Sequence, residues 1–115
     1  MRSEYLRRWI MIASAKSKNR PGNTTIFDLR LYVVDQSSRS LLAYANLKTV
    51  CDARLSGRYR IEVIDILAHP DVARTEGIVA VPTVIRRSPK PVRTAIGDMS
   101  DVGHVIAWLG LTQQN

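Results

Sequence analysis

Residues 26–66 change their hydrophobic period twice, from that of a strand to that of a helix and back again. Apolar and polar side chains alternate over 26–34, as in a strand with one buried face. Apolar side chains recur every three or four residues over 38–55, as in an amphipathic helix, and 59–66 alternates before becoming continuously apolar. A strand, a crossover helix and a second strand form a right-handed parallel pair. The sequence therefore predicts β1 over 26–34, α1 over 38–55 and β2 over 59–66.

The next part of the chain has the pattern of a short helix followed by a hairpin. Pro70 fits the first turn of a helix, because its missing N–H costs nothing there, and this predicts α2 over 70–77. Two β-prone segments follow, β3 over 83–87 and β4 over 92–96. The proline-rich connection between them favours a tight turn, so we expect the two strands to be antiparallel.

A final helix, α3, is predicted over 101–110, with Ser100 as its N-cap and Gly110 at its end. We expect this helix to bury the large ring of Trp108. The complete order is β-α-β-α-β-β-α. This is the order of a thioredoxin-like α/β fold with a mixed sheet.

The net charge of +7 is concentrated at the N-terminus. Residues 1–23 carry six of the 17 basic side chains and one of the 10 acidic ones, so this segment has a charge of +5 and the remainder is nearly balanced. We interpret 1–23 as a basic extension, disordered or a short helix, and 24–115 as a single folded domain. A basic tail is weak evidence for nucleic-acid binding. The longest apolar runs, of which Trp9–Ala13 is one, have only five residues, far fewer than the roughly 20 residues of a membrane-spanning helix.

The residues available for chemistry exclude disulfide exchange. A thioredoxin-like oxidoreductase needs a thiolate at the β1–α1 junction, but Val34–Ser38 contains no cysteine. The single cysteine, Cys51, falls on the apolar stripe of α1 and is expected to be buried. His69 and His104 lie on different elements, so neither a metal site nor another cofactor is predicted. Asp65, at the end of β2, is interpreted either as a mechanistic carboxylate or as a hydrogen-bond acceptor in the following loop.

A basic cluster on the predicted hairpin is the candidate binding site. Arg86, Arg87, Lys90 and Arg93 place four positive charges within eight residues, with no acidic residue between them. The functional interpretation is a partner-binding patch. The alternative is a solvated strand edge, because charged side chains commonly protect edges from aggregation.

Five segments form a combination that is characteristic of one family. They are Leu29–Val33, Ile61–Leu67, the turn at Pro70, Ala80–Thr83 and Pro91–Ser100. Together they resemble the KaiB family of small circadian-clock proteins over about residues 25–110. They also resemble the KaiB-like sensor domain of the histidine kinase SasA, although we expect no kinase to be attached here.

The resemblance implies a non-catalytic, cytoplasmic regulatory protein without a cofactor. Its expected partner is a KaiC-like ATPase, with KaiA-, SasA- or CikA-like proteins as further partners. Arg86 and Arg93 match basic docking residues of the family. Separately, 81–83, just before β3, resembles the cis-proline element of the thioredoxin-like fold, so the bond before Pro82 is expected to be cis. The resemblance also implies a second state, in which the C-terminal half is rearranged and the protein forms a tetramer, so a dimer or tetramer is expected as well as the thioredoxin-like state.

Several positions depart from the family pattern. Trp108 and Gly110 stand where clock KaiB proteins typically have Gly and Asp, and these positions tune the balance between the two folds. Leu42 and Gly77 stand where basic residues are expected. These departures indicate a diverged paralogue, in a timing or a stress-response role. The competing hypothesis is a small basic protein that binds nucleic acid or acts as a chaperone through the extension and the hairpin.

Overall fold

The computed structural model describes residues 25–111, and seven elements follow one another in the predicted order. They are β1 (Phe27–Val33), α1 (Ser38–Leu55), β2 (Tyr59–Asp65), α2 (Pro70–Thr75), β3 (Thr83–Ser88), β4 (Arg93–Ile96) and α3 (Val102–Leu109). The predicted basic extension, 1–23, lies outside the described residues. The predicted order β-α-β-α-β-β-α is confirmed, and 102–109 is helical rather than rearranged into strands.

The four strands form one mixed sheet in the order β2-β1-β3-β4. β1 and β2 are parallel, as a crossover through α1 requires. β3 runs antiparallel to both β1 and β4, so it completes the sheet as the first strand of a hairpin. The two outer strands within residues 25–111 are therefore β2 and β4.

The two faces of the sheet bury different elements. The main core lies on the face that carries the alternate residues Leu29 and Leu31 of β1, and it includes buried residues of α1 and α3. On the opposite face, Tyr32 and Ile85 belong to a smaller cluster, against which Val72 of α2 packs. The alternation of side chains along each strand thus sorts the helices to the two faces.

Polar side chains cap the first turns of α1 and α3, and the cap of α3 differs from the predicted one. The Ser37 hydroxyl accepts a hydrogen bond from the Ser40 N–H at 3.2 Å and caps α1. Ser100 does not cap α3. Its neighbour Asp101 is the N-cap, and its carboxylate accepts from the His104 N–H at 3.1 Å. A carboxylate at this position satisfies a free N–H and also opposes the positive end of the helix dipole.

Three X–Pro peptide bonds are cis, one in the loop before β3 and two in the β3–β4 turn. The Val81–Pro82 peptide bond is cis, in agreement with the expectation drawn from the resemblance, and Pro82 is buried. The β3–β4 connection contains two further cis bonds, Ser88–Pro89 and Lys90–Pro91, which the sequence analysis did not predict.

Among residues 25–111, no helix has both the length and the apolar character needed to span a membrane.

Candidate partner-binding site

The hairpin separates the four basic residues that the sequence placed in one patch. Side chains alternate between the faces of β3, so Arg86 shares the face of buried Val84, whereas Arg87 lies on the other face. Arg86 is only 5% exposed. Arg86 is therefore not on the surface of the hairpin, because the strand register directs its side chain toward the main core, and its predicted role in docking stays a prediction.

Arg86 binds the end of α3 to the hairpin. Its Nη1 donates to the carbonyl of Leu109 at 2.9 Å and to that of Gly110 at 3.4 Å, and its Nη2 donates to the carbonyl of Pro91 at 2.8 Å. The guanidinium also lies over the Phe27 ring, 5.7 Å from its centre. Burial lowers the pKa of Arg86, and the nearby charge of Arg93 lowers it further. A cation here satisfies the free carbonyls at the negative end of the helix.

Two features require glycine at Gly110: the left-handed backbone conformation and the close contact with Arg86. It ends α3 in the left-handed conformation, with φ of 61°. A Cβ at this position would lie 2.8 Å from Nη1 of Arg86, which is too close for a side chain held by several carbonyls. The structural role of Gly110 is thus to let the α3 terminus approach Arg86.

Arg87 points to the opposite face and has an acidic partner. Its Nη1 lies 3.4 Å from a carboxylate oxygen of Glu76, which follows α2. Both side chains remain about a third exposed, at 39% and 30%. This pair links β3 to the end of α2, so Arg87 does not belong to the surface formed by the hairpin turn.

Two residues of the predicted patch, Lys90 and Arg93, are fully on the surface, and together with the neighbouring Val92 they form what we call the basic turn. All three side chains are exposed, and Val92 is 52% exposed. No acidic residue within 25–111 forms an ion pair with Lys90 or Arg93. The basic turn therefore presents two uncompensated charges around one apolar side chain.

Trp108 lies beside this region on the surface of α3. Its ring is 47% exposed and stacks on His104, with ring centres 4.8 Å apart and an interplanar angle of 8°. The expectation that α3 buries the ring of Trp108 is wrong. Val105 and Leu109 fill the core-facing side of α3, and Trp108 lies at the margin of that apolar stripe, near Ile96 at the edge of the sheet.

The β1–α1 junction, where thioredoxin-like oxidoreductases carry their thiolate, contains no cysteine here. Cys51 is completely buried in α1, and burial raises its pKa far above the ordinary value for a thiol.

Asp65 is a hydrogen-bond acceptor, which is the second of the two roles predicted for it. Its Oδ1 accepts from the N–H of Asp35 at 3.1 Å and from that of Leu67 at 2.9 Å. Within residues 25–111, no cluster of three potential metal ligands occurs.

These features define a thioredoxin-like scaffold with an exposed basic turn and without a cysteine at the β1–α1 junction. Solved structures support the fold. The N-terminal domain of Synechococcus elongatus SasA matches with a TM-score of 0.63 and 16% identity, covering 86% of this chain and 97% of that domain. Mitochondrial thioredoxin 3 of Saccharomyces cerevisiae matches with a TM-score of 0.56 and 14% identity, covering 91% and 87%.

Sequence comparisons identify the family. The profile of the KaiB domain matches residues 30–111. Circadian clock protein KaiB3 of a Synechocystis species is 38% identical over 86 residues, covering 75% of this chain and 84% of that protein. Circadian clock oscillator protein KaiB of Synechococcus elongatus is 39% identical over 83 residues, covering 72% and 81%. The chain belongs to the KaiB family, a family of non-catalytic regulators of the circadian clock.

Proposed function

We propose that this protein binds a KaiC-like ATPase through the basic turn and thereby regulates a circadian clock or a signalling pathway derived from one. The observation that carries the proposal is the exposure of Lys90 and Arg93 without acidic partners among the described residues. Membership of the KaiB family supplies the class of partner.

The basic turn has the physical properties of a docking site. The β3–β4 connection is short and contains Pro89 and Pro91, so little conformational entropy is lost when a partner orders it. Exposed charges mainly set the rate of encounter and the choice of partner, whereas the apolar side chain of Val92 contributes buried area after contact. An acidic surface with a small apolar depression is the complement that this arrangement requires.

The fold supports a further partner relationship. Because the N-terminal domain of SasA shares this scaffold, we propose that a SasA-like sensor domain competes with this protein for the same ATPase. KaiA- or CikA-like proteins are expected to bind the resulting complex. In this scheme the protein acts by occupying a surface and performs no chemical step.

The test is a binding assay with the KaiC-like ATPase encoded in the same genome, in the presence of ATP, at two salt concentrations. The double variant Lys90→Glu with Arg93→Glu is expected to bind at least about tenfold more weakly at low salt, because two attractive charges become repulsive. The matched control is Arg39→Glu with Arg60→Glu, which makes the same change of net charge at exposed positions of α1 and β2.

Equal binding by the parent and the Lys90→Glu, Arg93→Glu variant would overturn the assignment of the basic turn. Equal weakening by the control variant would show that net charge matters and that the location of the charge does not. Circular dichroism of each variant verifies that the fold is retained.

A further inference from the structure

A groove runs along the outer edge of β4, beside α3. β4 is the last strand of the sheet, so none of the residues 25–111 pairs with its outer side. The groove has a volume of about 580 Å³ and is lined by Arg93, Thr94, Ile96, Ala107 and Trp108. A free strand edge beside apolar side chains has the shape of a site for an additional strand.

Two residues of β4 present backbone groups to this groove. In an antiparallel pair, residues that bond to the neighbouring strand alternate with residues whose N–H and C=O point away from it. The Gly97 N–H donates to the Pro82 carbonyl at 2.9 Å, and the register of β3 and β4 is regular, so Ala95 also bonds to β3. Thr94 and Ile96 therefore present two N–H and two C=O groups at the free edge.

Arg93 supplies the charge of the groove. It shares a face of β4 with buried Ala95, because side chains alternate along a strand. A Cβ on Gly110 would lie 3.7 Å from its Nε, so the Arg93 side chain extends toward the end of α3. No acidic residue within 25–111 forms an ion pair with Arg93. Burial lowers the pKa of Arg86 and the charge of Arg93 lowers it further, so a carboxylate beside Arg93 would relieve a repulsion between the two cations.

We propose that β4 binds an extended segment of a partner protein that carries a large apolar residue two positions before an acidic one. The segment adds to the sheet as a fifth strand, antiparallel to β4, and exchanges backbone hydrogen bonds with Thr94 and Ile96. In this register the acidic residue lies opposite Arg93, and the apolar residue lies opposite Ala95. Both point to the face of the sheet that carries α3, because residues two apart on a strand share a face.

Trp108 is the expected contact of the apolar residue. Ala95 has a small side chain, and the core cluster that contains it also contains residues of α3, so α3 lies on this face of the sheet. Trp108 is 47% exposed, and its ring stacks on His104 with ring centres 4.8 Å apart. A large apolar side chain opposite Ala95 therefore meets an aromatic ring that is already held in place, and such aromatic contacts contribute strongly to binding.

The sequence favours a partner protein over segments of this chain as the occupant. β4 contains no acidic residue, so a second copy of β4 offers no carboxylate to Arg93. The extension 1–23 has one acidic residue, Glu4, and Arg2 stands two positions before it in place of an apolar residue. Because charge complementarity selects among partners, an acidic strand from another protein fits the groove best. This inference goes beyond the proposed function, since it concerns the edge of β4 and requires no ATPase.

The test is an NMR titration of the isotope-labelled full chain with the peptide Ser-Val-Leu-Thr-Glu-Ser, acetylated and amidated so that its ends carry no charge. Saturable binding is expected, with a dissociation constant of about 1 mM or lower. The amide signals of Thr94 and Ile96 are expected to shift more than those of Arg93 and Ala95, whose N–H groups already bond to β3. The matched control is the same peptide with lysine in place of glutamate, which is expected to bind about fivefold more weakly.

Arg93→Glu is expected to reverse the preference, so that this variant binds the lysine peptide more tightly than the glutamate peptide. A purely structural effect of the substitution would weaken both peptides alike. Thr94→Pro removes an outward N–H and is expected to weaken both peptides, whereas Thr94→Val keeps this N–H and is expected to bind like the parent.

Two results would overturn the proposal. If the amide signals of Thr94 and Ile96 do not shift at peptide concentrations up to about 5 mM, β4 is a solvated edge. If the parent and Arg93→Glu show the same preference between the two peptides, Arg93 does not select the occupant, and this holds even where Thr94→Pro fails to fold. The assay contains no ATPase, so these outcomes are independent of the test of the basic turn.

Discussion

Replacing Arg86 by alanine tests whether this residue holds α3 on the sheet. The two short hydrogen bonds from Arg86, to Leu109 and Pro91 at 2.9 and 2.8 Å, involve a charged donor. Such bonds each contribute about 1.5–3 kcal/mol, and part of this gain is offset by the cost of burying the guanidinium. We therefore expect Arg86→Ala to lower the free energy of unfolding by about 2–4 kcal/mol, measured by urea denaturation followed by circular dichroism.

The matched control is Arg93→Ala, which removes the same chemical group from an exposed position of the same hairpin. A surface substitution of this kind is expected to change stability by about 0.5 kcal/mol or less. Arg86→Lys keeps the charge but loses the planar fork that bridges two carbonyls, so an intermediate loss is expected. The reasoning is refuted if Arg86→Ala and Arg93→Ala have equal effects, because Arg86 would then make no net contribution beyond that of a surface arginine.

Three further outcomes are expected. Gly110→Ala should lower the free energy of unfolding by about 1–2 kcal/mol in urea denaturation, because it combines a left-handed backbone with a clash against Arg86. Gly103→Ala inside α3 should be neutral or stabilising, and equal effects of the two substitutions would contradict this explanation. Asp65→Ala should lower the free energy of unfolding by about 1–2 kcal/mol, and Asp65→Asn by less, since the amide oxygen can still accept hydrogen bonds. Equal losses in the two variants would argue against the role of Asp65 as acceptor of two hydrogen bonds. Cys51 should react with a thiol reagent only as fast as the protein unfolds, and rapid modification of the folded protein would disprove its burial.

Local patterns were sufficient to predict the fold. The alternation in β1 and β2, and the spacing of the buried residues Leu47, Cys51 and Leu55 in α1, depend on short-range geometry that a sequence displays directly. The bounds of α1 agree with the prediction. α2 ends two residues earlier than predicted, at Thr75, because the chain leaves the helical conformation before Gly77, whose φ is 71°.

The candidate site was harder to predict because its residues are brought together by strand register. Four nearby cations were taken as one patch, although the alternation that identified β3 also places Arg86 on the same face as the apolar residue Val84. That signal was present in the sequence and could have shown that Arg86 points inward. The exposure of Trp108, in contrast, depends on where the sheet ends beside α3, and no local pattern specifies the order of strands.

The most direct test of the central claim is a calorimetric titration of the protein into the KaiC-like ATPase from the same genome, with ATP present, and in parallel into duplex DNA of arbitrary sequence. The account predicts saturable binding to the ATPase, together with weak and strongly salt-dependent binding to DNA. Tight binding to DNA with no detectable binding to the ATPase would contradict it and would favour the nucleic-acid hypothesis.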